Sequence, residues 1–83
     1  SLKGVEMVEN EIINSLKALG VKKIDTIGKP FDPKYHHALS TMEDKTKSDG
    51  EVLDEYQAGY IFNDKVIKYS QVIVNKLKEE KNE

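Results

Sequence analysis

The sequence predicts an α+β fold, with one N-terminal helix followed by a small all-β domain of about six short strands. Apolar residues recur every three or four positions over residues 2–19, and apolar and polar residues alternate after Gly20. Short strand-like runs then follow one another, separated by Gly, Pro, Asn and Asp. With 83 residues the chain makes one domain, and a domain of that size buries a limited core.

The predicted helix carries one apolar stripe along its length. The stripe consists of Leu2, Val5, Val8, Ile12, Leu16 and Leu19. Gly20 follows the last of these and predicts a left-handed cap, with Val21 in position to contact Leu16. Gly4 lies on the opposite face, where glycine costs up to about 1 kcal/mol relative to alanine. Either the helix frays at its start, or another backbone approaches closely at Gly4.

The strand-like runs cover residues 21–27, 36–44, 51–57, 60–62, 66–69 and 71–76. Turn residues separate them at Gly28-Lys29-Pro30, Ser48-Asp49-Gly50, Ala58-Gly59 and Asn63-Asp64-Lys65. Many short strands at such close spacing suggest a small antiparallel β domain. Residues 78–83 form a charged tail that we expect to be solvated.

The composition argues against several classes of function. There are 13 Lys and Arg residues against 15 Asp and Glu, and a net charge of -2 does not give the basic surface that nucleic-acid phosphates require. The absence of cysteine excludes disulfides and thiolate chemistry. No apolar run approaches the roughly 20 residues of a membrane-spanning helix. The chain opens within the helical pattern, so we expect it to be the C-terminal part of a longer protein.

Two histidines lie in the stretch GKPFDPKYHHAL, residues 28–39, and the order of its residues favours a structural turn. Asp32 followed by Pro33 is typical of a short helical turn, because the carboxylate caps backbone N–H groups and proline tolerates the first position. Phe31 precedes the cap and is placed to pack back onto the turn. His36 falls at the end of the turn, where it can donate to a carbonyl or carboxylate. The pattern therefore predicts structural roles for Asp32 and His36.

A catalytic or metal-binding interpretation of the histidines is weaker. Adjacent residues of a strand point to opposite faces, so His36 and His37 cannot share a metal there. The sequence also lacks a nucleophile elbow and a glycine-rich phosphate loop. We predict no catalytic residue, no metal and no cofactor, so the protein is not expected to be an enzyme. A small hydrolase or metal enzyme that uses His36 or His37 remains the alternative from that class.

Two sequence blocks resemble the signature of the GrpE family, the nucleotide exchange factors of DnaK-type heat-shock chaperones. The first block contains Phe31-Asp32-Pro33, His36 and Ala38-Leu39. The second contains Gly59-Tyr60, Asp64, Ile67-Lys68, Ser70, Val72 and Val74. The resemblance covers roughly residues 2–76. Lys68 departs from it, because the family usually has arginine there, and lysine lacks the planar fork for bidentate contacts.

The resemblance implies a homodimer in which residues 1–20 form the helix of a dimeric four-helix bundle and residues 21–77 form the β domain. The implied bundle and dimer contacts are Val5, Val8, Ile12 and Leu16. The implied partner is the ATPase domain of a DnaK-type chaperone, with no nucleic acid or membrane involved. The protein would promote ADP release by favouring the open nucleotide cleft. The positions that match chaperone contacts in the family are Gly4, Phe31, Pro33, Tyr56, Lys65 and Val74.

We further expect Phe31, Tyr56 and Val74 to form one patch on the β domain, although they are far apart in sequence. The family works in the cytoplasm of bacteria and in the mitochondrial matrix or plastids of eukaryotes, so the resemblance leaves those compartments open. The alternative function is a helical dimerisation and protein-binding module without exchange activity.

Overall fold

A computed structural model describes residues 2–79, with the backbone alone at residues 2, 3 and 5. Its elements are α1 (Leu2–Ala18), β1 (Val21–Lys23), β2 (His36–Met42), β3 (Val52–Gln57), β4 (Tyr60–Phe62), β5 (Lys65–Lys68) and β6 (Ser70–Asn75). The predicted α+β class is therefore confirmed. The predicted charged tail lies outside the described residues from position 80 onward. In the part of the chain that the structure describes, no helix has the length and apolarity to cross a membrane.

The C-terminal half of α1 packs against the β domain. The chain leaves the helix at Gly20, whose φ of 92° is the left-handed conformation that the sequence predicts. The Gly20 amide donates to the carbonyl of Lys17 at 2.9 Å. Leu16 and Val21 line one small cleft, together with Ile13 and Tyr60. Ile13 is thus an anchor of the helix that the predicted stripe does not include.

The strands form two sheets of three strands each. In the first sheet β4 lies between β1 and β5, and both pairings are antiparallel. In the second sheet β6 lies between β2 and β3; it is antiparallel to β3 but parallel to β2, with His36 opposite Ser70 and Met42 opposite Asn75. The expectation of an antiparallel domain is wrong for the β2–β6 pair. Alternation of apolar and polar residues carries no strand direction, and the three strands between β2 and β6 provide the long crossover that a parallel pair needs.

The first strand is shorter than predicted, because the chain leaves the sheet after Lys23. Residues 24–26, the junction segment, link the two sheets. The Ile24 amide donates to the carbonyl of Gly59 at 3.0 Å. The Thr26 hydroxyl donates to the Glu55 carboxylate at 2.9 Å, and Lys23 forms an ion pair with Glu55 at 3.3 Å. The Ile24–Gly59 bond continues the β1–β4 register by one residue, and from Thr26 onward the hydrogen bonds go to the second sheet.

The core of the described residues is small and half polar. Its buried apolar side chains are Ile24, Val52 and Val72. Its buried polar side chains are Thr26, His36, Ser70 and Asn75. Because a buried polar group without a partner costs about 1–3 kcal/mol, the stability of this domain depends on the hydrogen bonds of Thr26, His36 and Asn75 as well as on apolar burial. The buried Ser70 Oγ has no hydrogen-bond partner among the described residues.

Asn75 organises the loop between β2 and β3. Its side chain is 1% exposed, and its Nδ2 donates to the carbonyls of Asp44, Lys47 and Ser48 at 2.9–3.1 Å. Its Oδ1 accepts from the Asp44 amide at 2.8 Å. One amide at the end of β6 thus holds both ends of the loop.

Gly59→Ala should destabilise the protein strongly. An added Cβ would lie closest to the Ser70 backbone nitrogen, and it would also lie 2.6 Å from the Ser70 Oγ and 2.7 Å from the Lys68 carbonyl. Backbone atoms cannot move aside as a flexible side chain can, so we expect a loss of about 3 kcal/mol or more, the upper end of ordinary overpacking. Urea unfolding followed by circular dichroism measures it.

Gly28→Ala is the matched control, because nothing lies within 4 Å of its added Cβ and the cost is confined to a φ of 83°. That cost is about 1–2 kcal/mol. Equal losses from the two variants would contradict the close approach of Gly59 to Ser70.

Asp44 should titrate below the ordinary range of aspartates. The Thr46 hydroxyl and the Thr46 amide both donate to its Oδ1, and these bonds lower the pKa of Asp44, with a smaller contribution from Lys47. A carboxyl with a lower pKa in the folded state stabilises the fold above its unfolded pKa, and this contribution is lost as pH falls through the folded value. Side-chain carbonyl NMR across an acid titration measures the pKa.

Thr46→Val removes the hydroxyl donor and should raise the pKa of Asp44 toward the ordinary value, whereas Thr41→Val on β2 should leave it unchanged. A wild-type Asp44 that titrates at or above the ordinary range would contradict the assignment.

Candidate protein-interaction site

A loop of residues 28–35, here called the Phe31 loop, runs beside the start of β3. The Gly28 amide donates to the carbonyl of Val52 at 2.9 Å, and the Val52 amide donates to that of Lys29 at 2.8 Å. Further along the loop, the Phe31 amide donates to the carbonyl of Gly50 at 2.9 Å. The Phe31 loop is therefore attached to the second sheet before it turns toward β2.

The turn within this loop is built on Asp32. Its carboxylate Oδ1 accepts from the Lys34 amide at 3.0 Å. Its backbone carbonyl accepts from the amides of Tyr35 at 3.0 Å and His36 at 2.8 Å. Pro33 follows at the exposed first position, where proline forfeits no hydrogen bond. The result is a rigid turn that presents Pro33 to solvent.

His36 lies beneath the turn with 4% of its surface exposed. Its Nδ1 accepts from the Asp32 amide at 3.0 Å. Since Nδ1 is the acceptor, the proton of the neutral ring lies on Nε2, which donates to the carbonyl of Asp25 at 3.0 Å. The Phe31 ring packs against the imidazole with centroids 5.9 Å apart. Each ring nitrogen therefore has a backbone partner within the protein.

The second histidine faces the other way. His37 is exposed, and its ring stacks on Tyr69 with centroids 4.2 Å apart and planes inclined by 10°. The described residues contain no group of three or more His, Asp or Glu side chains placed to hold a metal ion. The two histidines thus do not combine into one site.

The six candidate contact residues differ in exposure. Tyr56 is 74% exposed on β3, and Pro33 and Lys65 are exposed in the Phe31 loop and at the start of β5. Phe31 and Val74 are half-buried, the first against His36 and the second in the central strand β6. Gly4 lies on the exposed surface of α1. Side chains at Pro33, Tyr56 and Lys65 are thus directly accessible to a partner.

The structure places Phe31 and Val74 toward one end of the second sheet and Tyr56 toward the other, so the single patch of these three residues stays a prediction. Val74 pairs with Val52, and Phe31 is bonded to Gly50, so these two lie toward one end of the second sheet. Tyr56 comes six residues after Gly50 along the chain, and at about 3.3 Å per strand residue it lies roughly 20 Å away. A partner that contacts all three must therefore span the length of the sheet.

The apolar stripe of α1 divides where the helix meets the β domain. Val8 and Ile12 are each 55% exposed, whereas Leu16 is half-buried beside Val21. The side chain of Val5 lies outside the described residues. Leu19, the last stripe residue, is 71% exposed next to the Gly20 cap. An exposed row on this helix is available to a second apolar surface.

Several apolar side chains of the β domain are exposed, although no local sequence signal predicts it. They are Ile27, Leu39, Met42, Ile67 and Tyr69. The stack of His37 on Tyr69 joins residues that are far apart along the chain, and only the pairing of His37 with Gln71 brings them together. Without knowledge of the parallel pairing, no local signal could have revealed this contact.

Comparison with known proteins shows which family the sequence matches. The sequence model of the GrpE family matches residues 1–76. Proteins named GrpE are similar to the chain: that of Chloroherpeton thalassium is 40% identical over 73 residues, and that of Bacillus licheniformis is 42% identical over 74 residues. That of Geobacillus stearothermophilus is 40% identical over 74 residues. These matches cover 88–89% of the chain but only 34–38% of each relative, so the chain spans about a third of their length.

Proposed function

The chain belongs to the GrpE family, and we propose that it is part of a nucleotide exchange factor that binds the ATPase domain of a DnaK-type chaperone and promotes release of ADP. The observation that carries the proposal is the family match over residues 1–76, which includes the whole β domain and the helix that supports it. The exposure of Pro33, Tyr56 and Lys65, at positions that match chaperone contacts in the family, supports it further.

The proposed contact surface is extended rather than compact. Phe31, Pro33 and Val74 supply an apolar region toward the Phe31 loop, and Tyr56 supplies an aromatic side chain toward the far end of β3. Lys65 adds a charge at the turn before β5, where Asn63 and Asp64 both have positive φ. Aromatic and aliphatic anchors with a charged rim are typical of protein interfaces. Gly4 on α1 would let the partner approach the helix backbone.

The proposed exchange is a shift of population and involves no covalent step by this chain. A factor that binds the open form of a nucleotide cleft more tightly than the closed form shifts the partner toward the open form. A shift from 1:99 to 99:1 requires about 5.5 kcal/mol of preference for the open form. Linkage requires that ADP weaken binding of the factor as much as the factor weakens binding of ADP. Contacts at two ends of a rigid sheet suit this task, because they can distinguish two orientations of the partner.

The stripe of α1 is the proposed homodimer contact. Val8 and Ile12 are more than half exposed, and Val5 would extend the row toward the start of the helix. Leu16, at the end of this row, lines the same small cleft as Val21 of the β domain. Packing against the same helix of a second copy, within a four-helix bundle, would remove the row from water at about 25 cal/mol per Å² of apolar surface.

Addition of the chain should accelerate release of a fluorescent ADP from a DnaK-type chaperone in stopped-flow measurements. Tyr56→Ala and Phe31→Ala should weaken chaperone binding by about 1 kcal/mol or more each if the side chains are anchors, with a matching loss of acceleration. Tyr56→Ala should leave the melting temperature nearly unchanged because the side chain is exposed. Leu39→Ala, an exposed side chain outside the proposed contact set, is the control.

Stoichiometric binding without faster ADP release would support a protein-binding module without exchange activity instead. Wild-type affinity in both Phe31→Ala and Tyr56→Ala would refute the proposed surface.

Val8→Glu combined with Ile12→Glu should shift the chain from dimer to monomer, because the charges would occupy the apolar contact. Sedimentation equilibrium over a range of concentrations measures this shift. Asn14→Glu, an exposed helix residue outside the stripe, should leave the association unchanged. A wild-type chain that stays strictly monomeric at high concentration would count against the stripe as the dimer contact.

A further inference from the structure

His36 holds the Phe31 loop from beneath by a bond to one peptide group. The Asp32 amide that donates to Nδ1 lies between Phe31 and Pro33, the two proposed contact residues of the loop. The carboxylate and the carbonyl of Asp32 are bonded within the turn. The ring of Phe31 also packs on the imidazole. The position of the Phe31–Pro33 backbone is therefore tied to the buried ring.

The other ring nitrogen has a different attachment. Nε2 donates to the carbonyl of Asp25, the middle residue of the junction segment. The two flanking residues of that segment, Ile24 and Thr26, are buried. The bond to Asp25 fixes the ring to the part of the molecule that joins the two sheets. The Nδ1 bond then transmits that fixed position to the loop. The imidazole thus makes two hydrogen bonds with separable consequences, one for the junction and one for the loop.

We infer that His36 is a positioning residue of the chaperone-contact loop, and that its Nδ1 keeps Phe31 and Pro33 in the conformation that binds the partner. The inference rests on the proposed function. If the Asp32 amide loses its acceptor, the loop populates other conformations, and the apparent affinity falls by the fraction that remains competent. A ring that merely filled the core would affect stability without a separate effect on binding.

Two amide substitutions separate the two bonds. Asparagine places its side-chain oxygen near the δ position of the imidazole, so His36→Asn keeps an acceptor for the Asp32 amide and loses the donor to Asp25. Glutamine reaches the ε position, so His36→Gln keeps a donor to Asp25 and loses the acceptor for Asp32. Each variant loses one neutral hydrogen bond, so we expect similar decreases in melting temperature.

Binding to the chaperone should distinguish the variants. We expect His36→Gln to raise the Kd about fivefold, which is the equilibrium ratio that corresponds to one lost hydrogen bond. We expect His36→Asn to retain a Kd close to that of the wild type. Isothermal titration against a DnaK-type ATPase domain measures both. Equal Kd values for the two variants at similar melting temperatures would overturn the inference, and so would wild-type affinity in His36→Gln.

NMR of the free wild-type chain tests the geometry without the chaperone and without folding of any variant. The ¹⁵N shifts of His36 should show a protonated Nε2 and an unprotonated Nδ1, and the Asp32 amide should be protected from exchange. A protonated Nδ1 would overturn the inference. Failure of the wild-type chain to bind the chaperone, with the expected NMR result, would instead overturn the proposed function and the inference that rests on it.

Discussion

The backbone of Gly59 lies so close to Ser70 that no side chain fits between them, and the two sheets meet at this contact. The carbonyl of Gly59 accepts from Ile24, which begins the junction segment, and the amide of Ser70 donates to the carbonyl of Tyr35 at the end of the Phe31 loop. The close contact between Gly59 and Ser70 therefore positions four parts of the chain: the start of β4, the start of β6, the junction segment and the Phe31 loop. A larger residue at position 59 would separate all of them.

The same junction explains how a domain with a small apolar core can present a defined surface. Thr26 and Lys23 both bind Glu55, so two segments from the first part of the chain are attached to β3 by polar contacts. His36 extends the attachment from Asp25 to Asp32. A surface that is fixed before binding forfeits less conformational entropy when the partner docks. The polar core thus supports the proposed function by fixing the Phe31 loop.

Local signals in the sequence were sufficient to predict the helix, the six strands and most turns. Gly20, Gly50 and Asn63 adopt positive φ values. Gly20 lies at the predicted end of the helix, and the other two lie in predicted turns. The parallel pairing of β2 with β6 and the early end of β1 could not be predicted, because both depend on contacts between distant segments. The four hydrogen bonds of Asn75 to the loop between β2 and β3 could not be predicted either, because they also join distant segments.

For the candidate site, the resemblance supplied residues but not their arrangement. Spacing alone predicted the capped turn at Asp32 and a bonded His36, because both depend on neighbours within four residues. The distance between Phe31 and Tyr56 depends instead on two long-range features. These are the hydrogen bond of the Phe31 amide to Gly50 and the register of β3 against β6. The registers depend on pairing between distant segments, so the separation of these residues could not be predicted from the sequence.

Native-state hydrogen exchange tests most directly whether the junction makes the two sheets one cooperative unit. The amide of Ile24, bonded to Gly59 beside β4, reports on the first sheet, and the amides of Asp32 and Ser70 report on the second. One cooperative unit opens as a whole, so we expect all three amides to exchange with the free energy of global unfolding, equal to that of the amides in the centre of β6. Exchange of the Ile24 amide at a much lower free energy than β6, with β6 still protected, would show that the sheets open independently and would contradict this expectation.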